Sequence, residues 1–384
     1  MKNKVFLVIK AEITTYPPIL TILHHLLEMN LTPVVVGVFN QIEVRKYYEN
    51  RGMEYIPTIQ YNPKSNLIDK LYKQIQYKRE VKQILKKRYK EGDYVWIFNL
   101  ETMMLLDDIV SKYKTILHFF EFVGKSFNWK YRLLNPFYSM EDTLAKSYRV
   151  IHCEYNRAQI SMGLYGIKQL PLVLPNKPLF PKDIFENIPD WIKDRLEKFD
   201  RKTDGKKIIL YQGAFTGKER RLNEFCEAID YLPNEYVFVA MGKETSYSKE
   251  LQKGYANPNV IFEDYLPAPY HLLITQKANI GILTYFPLSK NFVDVINPIY
   301  CAPNKIFEYS YFGIPMIGNN IPGLKYPFKE YQCGEVVPIP LSAQQIASAI
   351  ITINNDYSQY SVGAKKLYES VDIYSLMKSI FNAQ

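Results

Sequence analysis

Short apolar runs alternate with amphipathic stretches along this chain, and the alternation starts over after a proline-rich interruption. Runs at residues 4–9, 33–39, 55–59, 94–98, 115–120 and 148–153 have the length and Val, Ile, Phe and Tyr content of strands. Helix-length segments separate them, such as the one that opens at Thr14, Thr15, Tyr16 and Pro17 and carries Leu20, Leu23, Leu26 and Leu27. Continuously apolar strands joined by helices describe a mostly parallel sheet covered on both faces. A second series follows at 207–212, 236–240, 260–262, 279–285 and 334–338. Between the series, Pro175, Pro178, Pro181 and Pro189 break up a polar stretch with one helix-like piece at 191–199, the texture of a linker. The expected fold is α/β: two doubly wound Rossmann-like domains facing a central cleft, at 1–175 and 205–355, joined by a linker at 176–204. Two helices are expected from Ser342 onward, with residues 356–384 able to pack back on the first domain.

At 384 residues the chain exceeds one ordinary core, in keeping with two domains. Cys153, Cys226, Cys301 and Cys333 lie far apart without a CxxC pair, which argues against a zinc site or a disulfide framework and for a reducing compartment. Only residues 5–9 are continuously apolar near the start, too few for a secretory leader, and no run of about 18 apolar residues occurs. A cytoplasmic protein is the expectation. The net charge of +9 calls for an anionic partner: nucleic acid, a membrane face or a phosphorylated substrate. No zinc-finger, RRM or helix-turn-helix pattern is visible, so nucleic acid is not expected. Neither GxGxxG nor GxxxxGK[ST] follows any strand.

Residues 67–90 concentrate the charge. Lys70, Lys73, Lys78, Arg79, Lys82, Lys86, Lys87, Arg88 and Lys90 stand against one acid, Glu80, while Leu67, Leu71, Ile75, Val81, Leu85 and Tyr89 are read as a single apolar face. Such a helix can lie on an anionic membrane surface, or pack its stripe on the sheet with its lysines solvated.

The second series holds the chemistry. Residues 302–318 read as a loop, a two-turn helix, a Gly313 stop and a strand after Pro315. Pro303 suits the helix entrance and Asn304 can cap it, and with Lys305 that end suits an anion. Glu308, one turn in, could take paired hydroxyls of a sugar or ribose, whereas in a plain αβ unit Lys305 and Glu308 would face water. Gly213 and Ala214 follow a strand, and Lys218, Arg220 and Arg221 follow them.

Gly213-Ala214-Phe215, Arg220-Arg221-Leu222 and the run from Pro303 to Pro315 resemble the donor half of GT-B glycosyltransferases, in particular retaining family-4-like enzymes of bacterial capsule, exopolysaccharide or O-antigen synthesis. The likeness covers roughly residues 207–340. It implies that the Gly213 loop admits a donor diphosphate, that Arg220 binds its oxygens, that Asn304 and Lys305 meet it at the helix start, and that Glu308 holds the ribose. The base pocket would lie near Gly242 and Tyr265. Tyr300 stands where the family has the first of two glutamates, and Phe225 where it has a lysine; Lys305 or Lys218 could supply that charge. The donor would be a nucleotide-diphospho-sugar, the acceptor a saccharide or lipid-linked saccharide. The reaction would need neither cofactor nor metal.

On the acceptor side, His118 and Glu121 at a strand end are the catalytic candidates, although His118 could equally be a packed histidine. His24 and His25 suit packing and surface, and His152 and His271 have no partner at metal spacing. Three other classes remain open: a sugar-nucleotide epimerase of the same fold, a donor-binding subunit without catalysis of its own, and a basic nucleic-acid-binding protein.

Overall fold

The computed structural model describes residues 2–60, 66–125, 135, 138–179, 182–186, 188–287 and 291–382. The chain divides into two compact units, Met1–Leu179 with Asp372–Gln384, and Phe180–Val371.

The first unit is built on seven parallel strands: β1 (Lys4–Glu12), β2 (Thr32–Val38), β3 (Glu54–Pro57), β4 (Tyr94–Phe98), β5 (Thr115–Phe119), β6 (Arg149–His152) and β7 (Leu172–Val173). Their order is β3-β2-β1-β4-β5-β6-β7. Central strands are apolar at successive positions because both sheet faces are covered: Phe6, Val8, Val34, Val36, Val95, Ile97 and Leu117 share one core with Val81 and Leu85 of a helix. The last helix, Ile373–Phe381, belongs to this unit, and Phe381 packs edge-on to Tyr94 at 4.9 Å.

The second unit has β8 (Lys207–Gln212), β9 (Tyr236–Gly242), β10 (Val260–Asp264), β11 (Ile280–Leu283), β12 (Met316–Asn319) and β13 (Gly334–Val337), ordered β10-β9-β8-β11-β12-β13, all parallel. Strand order reverses between β8 and β11. In an open α/β sheet the crevice beyond the carboxyl ends of such a pair is where ligands bind, because the connections diverge to opposite faces there.

Several local expectations change. The chain ends in three helices, Ala343–Asn355, Tyr357–Glu369 and Ile373–Phe381, with breaks at Asp356 and at residues 370–372. The basic helix runs Leu67–Arg88, but its apolar positions do not share one environment. Tyr77, Val81 and Leu85, at spacing four, are buried on the sheet, whereas Leu71 and Ile75 are 42% and 45% exposed, with Ile68 and Tyr72 exposed beside them. Ile75 and Tyr77 are two positions apart, about 200° of helix rotation, so the apolar positions form two stripes and not one face. The Leu67 side chain lies outside the described residues, and Tyr89 follows the helix as its cap. Lys78 and Lys82 pair with Asp108, and Arg88 with Glu54, so part of the basic back is engaged within the unit.

Candidate functional site

Gln212 is the last residue of β8, and the chain then turns sharply at Gly213, whose φ of +145° is ordinarily open to glycine alone. The turn also needs Gly242, at the end of β9. A Cβ on Gly242 would overlap the Gly213 carbonyl oxygen and come within 2.7 Å of the Phe215 ring. The Gly213 amide donates to the Met241 carbonyl at 2.9 Å, and the Tyr211 hydroxyl donates to the Ala214 carbonyl at 2.7 Å. Two glycines that are 29 positions apart in sequence thus form one close-packed backbone loop at the carboxyl edge of the sheet.

The helix Asn304–Tyr311 brings its amino end to this loop, where Lys305 Nζ approaches Gly213. Pro303 is its N-cap residue, so Asn304 takes the first helical position and its side chain makes no capping bond, contrary to its expected role. Gly313 has φ +68° and closes the helix as the sequence indicates. Lys305 and Glu308 are three residues apart, hence on one face, and that face is turned inward: they are 8% and 3% exposed. The water-facing alternative for both is overturned.

Glu308 is held from two sides. Gln212 Nε2 donates to Glu308 Oε2 at 2.5 Å, and His271 Nε2 lies 3.1 Å from Glu308 Oε1. An ionised carboxylate only accepts, so Gln212 must present its amide nitrogen and His271 a protonated Nε2. Thr275 Oγ1 donates to Gln212 Oε1 at 2.6 Å, which fixes the amide orientation from behind. Each carboxylate oxygen retains further acceptor capacity.

Lys305 is held differently. Its Nζ is buried without a hydrogen-bond partner among the described residues. It sits 4.5 Å from the centroid of the Tyr211 ring and 5.5 Å from that of Tyr285, and a Cβ built on Gly213 would lie 3.0 Å from it. Burial, and then the neighbouring Arg220 guanidinium, hold the Lys305 amine well below the ordinary lysine range; Glu308 and Cys301 pull the other way without prevailing. Arg220 itself is directed inward: its guanidinium lies 5.5 Å from the Tyr285 ring centroid and hydrogen-bonds the Tyr211 hydroxyl. Arg221 turns aside and pairs with Glu224 at 2.6 Å. The backbone locks this loop to the strand beside it, since the Phe286 amide donates to the Glu219 carbonyl at 2.9 Å.

The structure therefore brings Gly213, Gly242, Arg220, Lys305 and Glu308 together at the switch between β8 and β11. Pro303 and Asn304 are half-buried at the helix entrance, and Ala214 and Lys218 are exposed on the loop. Tyr265, 39% exposed, faces Lys243, whose Nζ is 5.0 Å from the ring centroid. Phe225 lies in the core against Phe238, which explains why no lysine stands there. Tyr300 caps the end of the helix Phe292–Ile299. Sequence reasoning missed Gln212, His271, Thr275, Tyr211 and Tyr285; a polar residue closing the apolar run of β8 was the available signal for Gln212.

In the first unit, His118 is 1% exposed and enclosed by Trp96, Phe98 and Phe120, with neither ring nitrogen hydrogen-bonded among the described residues. Burial, aided by His152, lowers its pKa to about 3. It is a neutral packed ring in this structure. Glu121, two residues past β5, is exposed. Among the described residues no group of three or more His, Cys, Asp or Glu is placed to hold a metal, and no helix is long and apolar enough to cross a membrane.

No protein-family model matches the sequence, and no curated protein does either. Solved structures do. Anabaena HepE in complex with UDP and glucose matches with a TM-score of 0.67 at 14% identity, covering 98% of each chain. A glycosyltransferase from Rickettsia africae ESF-5 matches at 0.65 and 16%, covering 98% of this chain and 97% of its own. A putative UDP-N-acetylglucosamine 2-epimerase from Listeria monocytogenes matches at 0.65 and 8%, covering 99% and 95%. The fold is GT-B. Two Rossmann-like α/β units of seven and six parallel strands match these neighbours over nearly their whole length. Within the GT-B fold, the polar cluster just described sits at the carboxyl edge of the second unit.

Proposed function

We propose that this GT-B protein is a glycosyltransferase that takes its sugar from a nucleotide-diphospho-sugar bound at the second unit. The observation that carries the reading is the pairing of an unpartnered buried Lys305 with a braced Glu308, on one helix face beneath the Gly213 turn. Glu308 would accept the ribose hydroxyls. Lys305, Arg220, the backbone at Gly213 and Ala214 and the helix entrance at Pro303 and Asn304 would take the diphosphate, and Gly242 and Tyr265 would border the base. Lys218, on the exposed loop, would reach the outer phosphate. Preorganised cations and amides stabilise the charge that grows on a departing diphosphate, so the reaction would run without a metal or cofactor. HepE bound to UDP supports a uridine donor. The acceptor, a saccharide or lipid-linked saccharide of a surface polysaccharide, would bind at the first unit near Glu121, with His118 supporting that region from within the sheet, and the anomeric configuration would be retained.

Incubation with UDP-glucose and other sugar nucleotides, assayed for UDP release with and without lipid-linked saccharides, tests the reading; acceptor-dependent release is expected. The Listeria neighbour supports one second reading, an epimerase. Isomerised donor with no UDP released would establish that instead.

The helix Leu67–Arg88 supports a peripheral membrane location. Ile68, Leu71, Tyr72 and Ile75 are exposed at its start, with Lys70 and Lys73 beside them. Apolar side chains flanked by lysines suit the boundary of an anionic bilayer. Sedimentation with vesicles containing anionic lipid should fall sharply when Leu71 and Ile75 are replaced by Ser; undiminished sedimentation would reject the location.

A further inference from the structure

We propose that Lys305 is uncharged in the free protein and becomes an ammonium only when a diphosphate arrives, so that nucleotide binding takes up a proton. The inference rests on the donor-site reading and adds to it a property of the binding step. An ammonium needs acceptors for three N–H groups or water to hydrate it. Lys305 Nζ is buried away from bulk solvent, and no acceptor bonds it among the described residues. The walls facing it are Tyr211 at the end of β8, the inward Arg220 of the following loop, Tyr285 beyond β11, Cys301 before the helix, and Glu308 on its own helix.

The balance of these walls opposes a charge. Two tyrosine faces attract a cation, but such contacts are worth only about 0.5–2 kcal/mol, well short of the solvation they replace. Glu308 is the nearby acid, yet its oxygens point to Gln212 and His271 and none bonds the Lys305 amine. Arg220 contributes a like charge that no deprotonation can remove. A diphosphate on the Gly213 turn would reverse the balance. It brings at least two negative charges and several acceptor oxygens beside the amine, and it offsets Arg220. The chemistry of the step balances simply: the Lys305 amine gains one proton from solvent or buffer, and phosphate oxygens accept hydrogen bonds from the new ammonium. An arginine at 305 would carry its charge permanently and show no such uptake.

The test is calorimetric titration of the full chain with UDP at about pH 8, where the terminal phosphate is already ionised and contributes no titration of its own. Repeating it in buffers of low and high ionisation enthalpy gives the protons exchanged. The expected result is an uptake approaching one proton per UDP, with affinity falling by up to about tenfold per pH unit above the free amine's pKa. Lys305→Arg should bind UDP with no uptake, His271→Asn should retain it, and uridine, which lacks phosphate, should cause none. UDP binding by the native protein with no uptake, or uptake that persists in Lys305→Arg, would overturn the proposal while leaving the donor site intact. If Lys305→Arg binds too weakly to titrate, the native pH dependence decides: affinity flat between about pH 7 and 9 overturns the proposal, and the tenfold slope upholds it. No binding of UDP, GDP or any sugar nucleotide would instead overturn the donor-site reading itself.

Discussion

The two buried histidines of the first unit should make it acid-sensitive by an amount that follows from their surroundings. His118 on β5 and His152 on the adjacent β6 are each 1% exposed, and no ring nitrogen of either is hydrogen-bonded among the described residues. Burial lowers both pKa values to about 3, with His152 adding to the effect at His118 and Arg157 at His152. An unfolded chain binds a proton at each ring below about pH 6.5, whereas the folded unit binds neither until about pH 3. The unfolded state therefore holds up to two more protons across that window, and stability falls as pH falls. At about 1.4 kcal/mol per proton and pH unit, the pair costs about 3 kcal/mol per unit once both unfolded rings are protonated. Going from pH 7 to pH 5 should then remove on the order of 4 kcal/mol, a large part of a domain's usual 5–15 kcal/mol. Urea unfolding followed by tryptophan fluorescence suits the measurement, because Trp96 lies 6.0 Å from His118. His118→Phe, which keeps an aromatic ring among Trp96, Phe98 and Phe120, should halve the acid slope. An unchanged slope in His118→Phe and His152→Phe would refute the reasoning.

Two further substitutions probe the second unit. Glu308→Ala removes the proposed acceptor of the ribose hydroxyls, so UDP affinity should drop by a factor of about a hundred or more, at roughly 1.5–3 kcal/mol for each lost bond to a charged group; equal affinity by calorimetry would remove Glu308 from the ribose role. Gly242→Ala places a methyl against the Gly213 carbonyl, and should lower stability by about 1–3 kcal/mol in urea unfolding while weakening UDP binding through a displaced Gly213 turn; native-like stability would show that the turn is not locked by that contact.

The architecture was largely legible because both sheets are buried on each face, which leaves continuous apolar runs that alternate with helix-length segments. The helix Asn304–Tyr311 was legible from its Pro and Gly punctuation, whereas the spacing of Lys305 and Glu308 shows only that they share a face, not that the face turns inward. What holds those side chains was not legible either. Gln212 at the end of β8 and His271 at the start of the helix Leu272–Thr275 reach Glu308, while Thr275 of that helix holds Gln212, and only the packing of these elements brings them together. Periodicity likewise could not divide the apolar residues of Leu67–Arg88 between sheet and solvent, since register within a long helix is set by what it packs on. His118 was ambiguous for a similar reason: a strand end can face ligand or core, and the aromatic rings around it come from neighbouring strands.

The central claim is that the carboxyl edge of β8 and β11 is a nucleotide-diphosphate site. Calorimetric titration with UDP, in the native protein and in Glu308→Ala, tests it most directly. The account predicts saturable one-to-one binding that Glu308→Ala largely abolishes. Absence of binding to UDP and GDP alike, or binding that Glu308→Ala leaves untouched, would contradict it.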